Sequence, residues 1–228
     1  YEALDLNIPV FAHTPLILNS EGKKLSKRDG VTSISEFKKM GYTSEAMANY
    51  MTLLGWSAPE GIDERFKISE ISEIFSFKKV NKASAKFDWD KLNWLNSQVI
   101  HEMSPKALLE RLDPLLKENG WTLPSQEWGM DLANLIGPSM ILLNDGVNQA
   151  EPFFEEPYLS DEGKKQLEIK EAKIILKFIL QKLEELDVSF IDKEKALDLI
   201  NETTKICEVK KGLVMKSLRA ALFGTLNG

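Results

Sequence analysis

From Ser104 to Gly224 the chain is punctuated as one helix after another, and this succession most narrows what it can fold into. Ser104-Pro105 sets an N-cap before a proline at the first helical position, where a missing N–H costs no hydrogen bond, and Asp113-Pro114 repeats the signal. Gly120 stops that second piece. Ser125 opens a further helix, which Gly137-Pro138 interrupts and which then continues to about Val147. Glu151 to Tyr158, with its prolines and glutamates, reads as a linker or corner. A long amphipathic helix is expected over about Asp161 to Leu186, with Leu167, Ile174, Ile175, Phe178, Ile179, Leu183 and Leu186 on one face. Helices over 192–207 and 209–223 follow, and Gly224 caps the last. Cys207 falls on an apolar face, the position of a core residue. The fold class is mainly α.

The first hundred residues are more mixed. Val10, Phe11 and Leu16-Ile17-Leu18 predict a strand over 10–18, turned by Asn19 to Gly22. Ser33 and Glu36 have capping-box spacing, so a helix should begin near Ile34 and stop at Gly41. Met47, Tyr50, Met51 and Leu54 share the inner face of a helix from about Ser44, which Gly55 ends. A turn-rich loop leads to a short helix at Ser69-Glu70 with Ile71, Ile74 and Phe75 facing inward. Asp88 then caps a helix whose buried stripe is Leu92, Leu95 and Val99. Trp89 and Trp94 are expected to pack rather than stack on bases, His13 to make a structural hydrogen bond, and His101 to serve a helix C-terminus.

No apolar run approaches the length that spans a bilayer, so no membrane partner is expected. One cysteine, Cys207, forms no internal disulfide, and no Cys/His cluster has metal-ligand spacing; a reducing, cytoplasmic setting without a protein-bound metal fits. Net charge is −6, which argues against a generic nucleic-acid coat, so any polyanion must meet local patches. Two such patches stand out: Lys78, Lys79, Lys82, Lys86 and Lys91, and Lys205, Lys210, Lys211, Lys216 and Arg219. Each is either a solvated helix face or a track for phosphates.

A third cationic stretch carries more chemistry. Gly22-Lys23-Lys24-Leu25-Ser26-Lys27-Arg28-Asp29-Gly30 places cations between two glycines directly after the predicted strand. When a carboxylate attacks the α-phosphate of ATP, charge grows on the phosphoryl oxygens and the departing pyrophosphate. An ammonium delivered there is worth about 3–4 kcal/mol of barrier. No P-loop pattern is present, so ATP chemistry must use another scaffold.

Phe11 to Leu18, Gly22 to Gly30, Gly41-Tyr42 through Tyr50 to Leu54-Gly55-Trp56-Ser57, and Phe87-Asp88 with Lys91-Leu92 and Trp94-Leu95-Asn96 together resemble bacterial-type glutamyl-tRNA synthetase, a class I enzyme. Lys24 to Arg28 is similar to its KMSKS loop, with Leu25 in the methionine place and Arg28 in the final serine place. Leu218-Arg219-Ala220-Ala221-Leu222 before Gly224 resembles a helix of its anticodon-binding region.

The resemblance implies ATP-dependent activation of glutamate and transfer to tRNA. Lys27 and Lys24 would be the catalytic phosphate contacts, with Leu25, Ser26 and Arg28 completing the ATP loop and Mg²⁺ accompanying ATP in the full enzyme. It further implies a remnant of the catalytic domain over 1–22 and a stem-contact domain over 23–101. Two helical anticodon-binding domains, forming a bundle or cage, would cover 102–159 and 160–228, the second truncated. The HIGH motif and the half that binds L-glutamate have no counterpart here, so the piece is expected to be inactive alone. By the same resemblance Lys78, Lys79, Lys82, Lys86, Lys91, Ser139, Lys210, Lys211, Lys216 and Arg219 would contact tRNA. Ser139 of Gly137-Pro138-Ser139 stands where relatives that discriminate strictly can place arginine, which implies a non-discriminating parent accepting glutamate and glutamine tRNAs. Three other readings are weaker: a free-standing helical tRNA-binding module, a short glutamyl-queuosine-type enzyme without an anticodon domain, and a glutaminyl enzyme with β-barrels after residue 101.

Overall fold

A computed structural model describes residues 1–26, 33–186 and 191–226, which divide into two compact units, Tyr1–Ala150 and Glu151–Gly228. The mainly α expectation holds. Eleven α-helices and one two-stranded sheet make up the described residues, along with short 3-10 turns.

In the first unit the sheet is a parallel pair, β1 (Ile17–Leu18) with β2 (Ala85–Lys86), in register Ile17 to Ala85. The predicted strand over 10–18 shrinks to these two residues. Val10 and Phe11 are exposed and no strand pairs with them among the described residues, because β2 offers only two residues to the ladder. Helix α1 (Ile34–Met40) starts with the Ser33–Glu36 capping box and stops at Gly41, whose φ of 97° an L side chain would resist. Helices α2 (Ser44–Gly55) and α4 (Trp89–His101) cross and enclose the core of Phe37, Tyr42, Met47, Tyr50, Phe87, Leu92 and Leu95. Trp89 packs on Phe87 with ring centroids 4.9 Å apart, while Trp94 remains 43% exposed.

Four expectations fail here for local reasons. Helix α3 (Ile68–Ser72) buries Ile71 but leaves Ile74 and Phe75 outside, since it ends before they can turn inward. Met51 is 41% exposed on α2 although its spacing put it with the core residues. Asp113-Pro114 does not start a helix: α5 (Pro105–Glu118) runs straight through. Proline there removes one backbone donor, and Leu112 and Leu116, both buried, hold the turns on either side. After α6 (Gln126–Ile136) the chain makes one 3-10 turn at Gly137–Ser139, and residues 140–144 are not helical before α7 (Asp145–Ala150). Asp145 accepts hydrogen bonds from the Ile141 and Leu142 amides (2.9 and 2.7 Å), so a side chain takes the role that a helical turn would have had.

The second unit holds α8 (Asp161–Glu168), α9 (Lys170–Leu186), α10 (Lys193–Ile206) and α11 (Lys211–Phe223). The single helix expected over 161–186 is broken at Ile169, whose ψ of 133° is extended. The break frees α8 to lay Gly163 and Gln166 against α11 while α9 buries Ala172, Ile175 and Ile179. Ile174 and Leu186, expected on the buried face, are exposed. Cys207 caps α10 half-buried, against the Ile175, Leu199 and Val214 cluster.

Candidate functional site

The stretch after β1 is built as a hairpin stub. Gly22, at φ 79°, closes a turn in which its N–H donates to the Asn19 carbonyl (3.0 Å) and Asn19 N–H donates to the Lys23 carbonyl (2.8 Å). The Asn19 side chain accepts the Lys23 amide, and Leu18 bridges Lys24 in antiparallel fashion. Leu25 N–H then donates to the Ile17 carbonyl (2.9 Å) while the Leu25 side chain packs on the aromatic core. One edge of β1 thus carries the stub and the other carries β2, where Phe87 N–H reaches the Leu18 carbonyl at 2.8 Å.

This anchoring decides which cations are available. Lys23 is spent on Glu21 at 2.8 Å. Lys24 is exposed and has no carboxylate partner among the described residues, so an ammonium stands free on a fixed stub. Ser26 is the last described residue before the gap. Lys27 and Arg28, the other ATP-loop expectations, lie outside the described residues, as do Asp29 and Gly30.

The first lysine patch is not uniform. Lys78 and Lys79 end a 3-10 turn, Phe77–Lys79, and are exposed, as is Lys82; none of the three has an ion-pair partner among the described residues. Lys86 lies on β2 with its ammonium 3.5 Å from the Ser20 carbonyl, next to the stub. Lys91 differs, because its ammonium pairs with Glu64. In the second unit Lys210 stands at the N-cap position of α11, Lys211 reaches Asn201 Oδ1 at 3.4 Å, and on α11, which buries Val214, Ser217 and Ala220, Lys216 is exposed and Arg219 half-buried.

Ser139 sits at the corner after α6, its Oγ 2.8 Å from the Ile136 carbonyl and 2.7 Å from the Gln149 side-chain amide. One hydroxyl hydrogen serves one acceptor at a time, so the Ile136 carbonyl and Gln149 Oε1 compete for it. His101 approaches the same corner. It stands in the last turn of α4, the helix end expected, and its Nε2 also lies 3.0 Å from the Met140 carbonyl outside that helix. His13 makes no hydrogen bond among the described residues; it lines an apolar cleft of about 860 Å³ with Met51, Trp56, Phe75 and Phe77.

Behind the corner is a buried polar junction for which the sequence held no signal. Asn96, fully buried on α4, accepts from both the N–H and the hydroxyl of Thr43 (2.8 and 2.9 Å) and donates to the Ile141 carbonyl (2.5 Å). Leu143 N–H donates to the Gly41 carbonyl (2.9 Å), and Asn144 Nδ2 to the Lys39 carbonyl (2.8 Å). Nearby, Arg111 on α5 grips Glu45 on α2 through both carboxylate oxygens, at 2.6 and 3.3 Å, and this hydrogen-bonded pairing lowers the Glu45 carboxyl to about 2.

No described helix is long and apolar enough to cross a membrane, and no group of three or more His, Cys, Asp or Glu among the described residues could hold a metal ion.

Comparison with known proteins adds the following. Residues 1–94 match the model of tRNA synthetases class I (E and Q), catalytic domain, and residues 107–228 that of the anticodon binding domain. Proteins named glutamate–tRNA ligase are 84% identical in Prochlorococcus marinus strain NATL2A and 59% identical in Synechococcus sp. strain CC9311, each over all of this chain and 48% of the relative. The crystal structure of a glutamate tRNA ligase from Elizabethkingia meningosepticum, in complex with its amino acid, superposes with a TM-score of 0.82 at 30% identity, over the whole chain and 48% of that protein. The glutamate-tRNA synthetase of Elizabethkingia anophelis gives 0.78 at 31% identity. The chain spans about half the length of the relatives it matches.

Proposed function

The chain belongs to the glutamyl-tRNA synthetase family, and from that premise we propose that it supplies the ATP-loop stub and most of the tRNA-binding surface of a glutamate–tRNA ligase. The carrying observation is Lys24: an ammonium without a carboxylate partner among the described residues, on a stub pinned to β1 and to the core. In the proposed reaction a glutamate carboxylate oxygen bonds to the α-phosphorus of ATP as the bond to pyrophosphate breaks. Transfer to the tRNA 3′ end then releases AMP. Lys24 holds the phosphates as charge shifts to pyrophosphate, and Mg²⁺ arrives with the nucleotide. Lys27 and Arg28 remain proposed partners by sequence alone. Charging of tRNA in the cytoplasm goes with this reading.

For tRNA, exposed and unpaired Lys78, Lys79 and Lys82 are the best phosphate contacts of the 23–101 stem-contact stretch, with Lys86 beside them. Lys91, held by Glu64, contributes less. Lys210, Lys211, Lys216 and Arg219 serve the anticodon stretch in the same sequence-independent way. At Ser139 no guanidinium fork faces a base, so glutamate and glutamine tRNAs are both proposed as substrates.

A salt titration of binding to both purified tRNAs, paired with charging assays of the full-length ligase, tests this. Lys78→Ala/Lys79→Ala/Lys82→Ala should weaken both tRNAs about equally and flatten the log–log salt slope by about 2–3. An unchanged slope removes these lysines from the interface, and negligible charging of glutamine tRNA removes the relaxed specificity.

A further inference from the structure

The stub bearing Lys24 and the corner bearing Ser139 are far apart in sequence, yet they lean on the same small set of residues. Leu25 packs on the aromatic core from one side. Leu142, three residues beyond Ser139, packs on that same core, of which Phe37 of α1 is a member and against which Met40 of α1 also packs. Apolar contacts alone would let the 140–144 segment slide. Directional bonds prevent it: Asn96 holds the Ile141 carbonyl and Thr43 together, the Leu143 amide is bonded to Gly41, and Asn144 holds Lys39.

Gly41 is where the fit is tightest. A Cβ there would stand 2.8 Å from Asn144 N and 2.9 Å from Leu143 N, both backbone atoms that cannot swing away. The glycine therefore meets two requirements at once: the left-handed end of α1 and room for the backbone that follows the corner.

We propose that Gly41, Asn96 and Asn144 are positioning residues for the ATP phosphates, locking the 140–144 segment to the end of α1 and so fixing the core surface on which Leu25, and with it Lys24, is seated. None of the three touches the nucleotide. Their effect reaches it through packed side chains with little freedom to adjust. This inference rests on the ligase reading above.

The test uses the full-length ligase and ATP–pyrophosphate exchange with saturating glutamate tRNA. Asn144→Ala deletes one peripheral hydrogen bond and should fold. Asn144→Asp keeps the shape but cannot donate to the Lys39 carbonyl. Both should raise the KM for ATP about 3- to 30-fold while the KM for glutamate and the Kd for tRNA stay within about twofold. Gly41→Ala should do the same more strongly where it folds. A KM for ATP unmoved in both Asn144 variants overturns the inference and leaves the junction merely structural. Equal rises for ATP and glutamate overturn it as well, since they mean general loosening. No exchange by the unaltered enzyme defeats the ligase reading itself, and this inference with it.

Discussion

The two compact units bury polar groups in opposite ways. In Tyr1–Ala150 the buried amide of Asn96 reaches across sequence to Thr43 and Ile141, joining three segments. In Glu151–Gly228 the buried hydroxyls of Thr203 and Ser217 donate to carbonyls of their own helices, at Leu199 and Leu213, and Gln166 to Ser217 is the one buried link between helices among the described residues. Their cores differ too: aromatic rings packed edge-on and face-on in the first, aliphatic side chains in the second. A buried amide with directional partners in three segments fixes geometry, whereas a hydroxyl turned back on its own helix with no further partner among the described residues, as at Thr203, fixes nothing beyond it. The first unit is built for placement; the second is a scaffold that displays a charged face.

The contrast breaks most visibly if the two kinds of buried polar group prove equivalent. Asn96→Ala leaves the Thr43 amide and Ile141 carbonyl unpaired and should cost about 3 kcal/mol or more in urea unfolding, while Thr203→Val should stay within about 1 kcal/mol. Comparable losses would erase the distinction. Gly163→Ala probes the scaffold, since its new Cβ would collide with the Gly224 carbonyl, which also accepts both the amide and hydroxyl of Ser160. About 2 kcal/mol should be lost, and hydrogen exchange should quicken in α11 but not in α4. Uniform acceleration would show that the units do not unfold separately. Smallest is the Glu45–Arg111 pair. With the Glu45 carboxyl lowered to about 2, its stabilisation is complete above the usual carboxylate range near 4.5 and is lost as pH falls through about 2. Much of the pair is exposed, so solvent screening holds this to less than about 1 kcal/mol. Arg111→Met should flatten that acid limb of the stability curve; an unchanged limb would assign it to other carboxylates.

Helix ends were the most legible part of the chain. Ser33 with Glu36, Asp88, Ser104 and Ser125 cap helices where the sequence placed them, and Gly41 and Gly224 take the left-handed stop. These signals are local: the side chain that satisfies the orphan amides lies within three residues of them. What was missed depends on distant partners. Ile169 carries no breaker, and only the need for α8 and α9 to bury different faces explains the break. Pro114 looked like a start because nothing local reveals that Leu112 and Leu116 are both held in a core. At the candidate site, the charged stretch was read from composition and order, but that Lys23 and Lys91 are paired while Lys24 has no carboxylate partner among the described residues depends on where Glu21 and Glu64 are carried by the fold. Asn96 gave no hint at all, since an asparagine on a helix reads as solvated until its three partners are known.

The parallel pair of β1 and β2 bears on the order of folding. It joins residue 17 to residue 85 through only two residues of ladder, so its few hydrogen bonds must offset the entropy of closing a long stretch of chain. Such a pair has no independent life; it is expected to assemble only once α1, α2 and α4 have collapsed around their rings and brought residue 85 into place. The segment that carries Lys24 is thus subordinate to the helices: its register depends on a finished core.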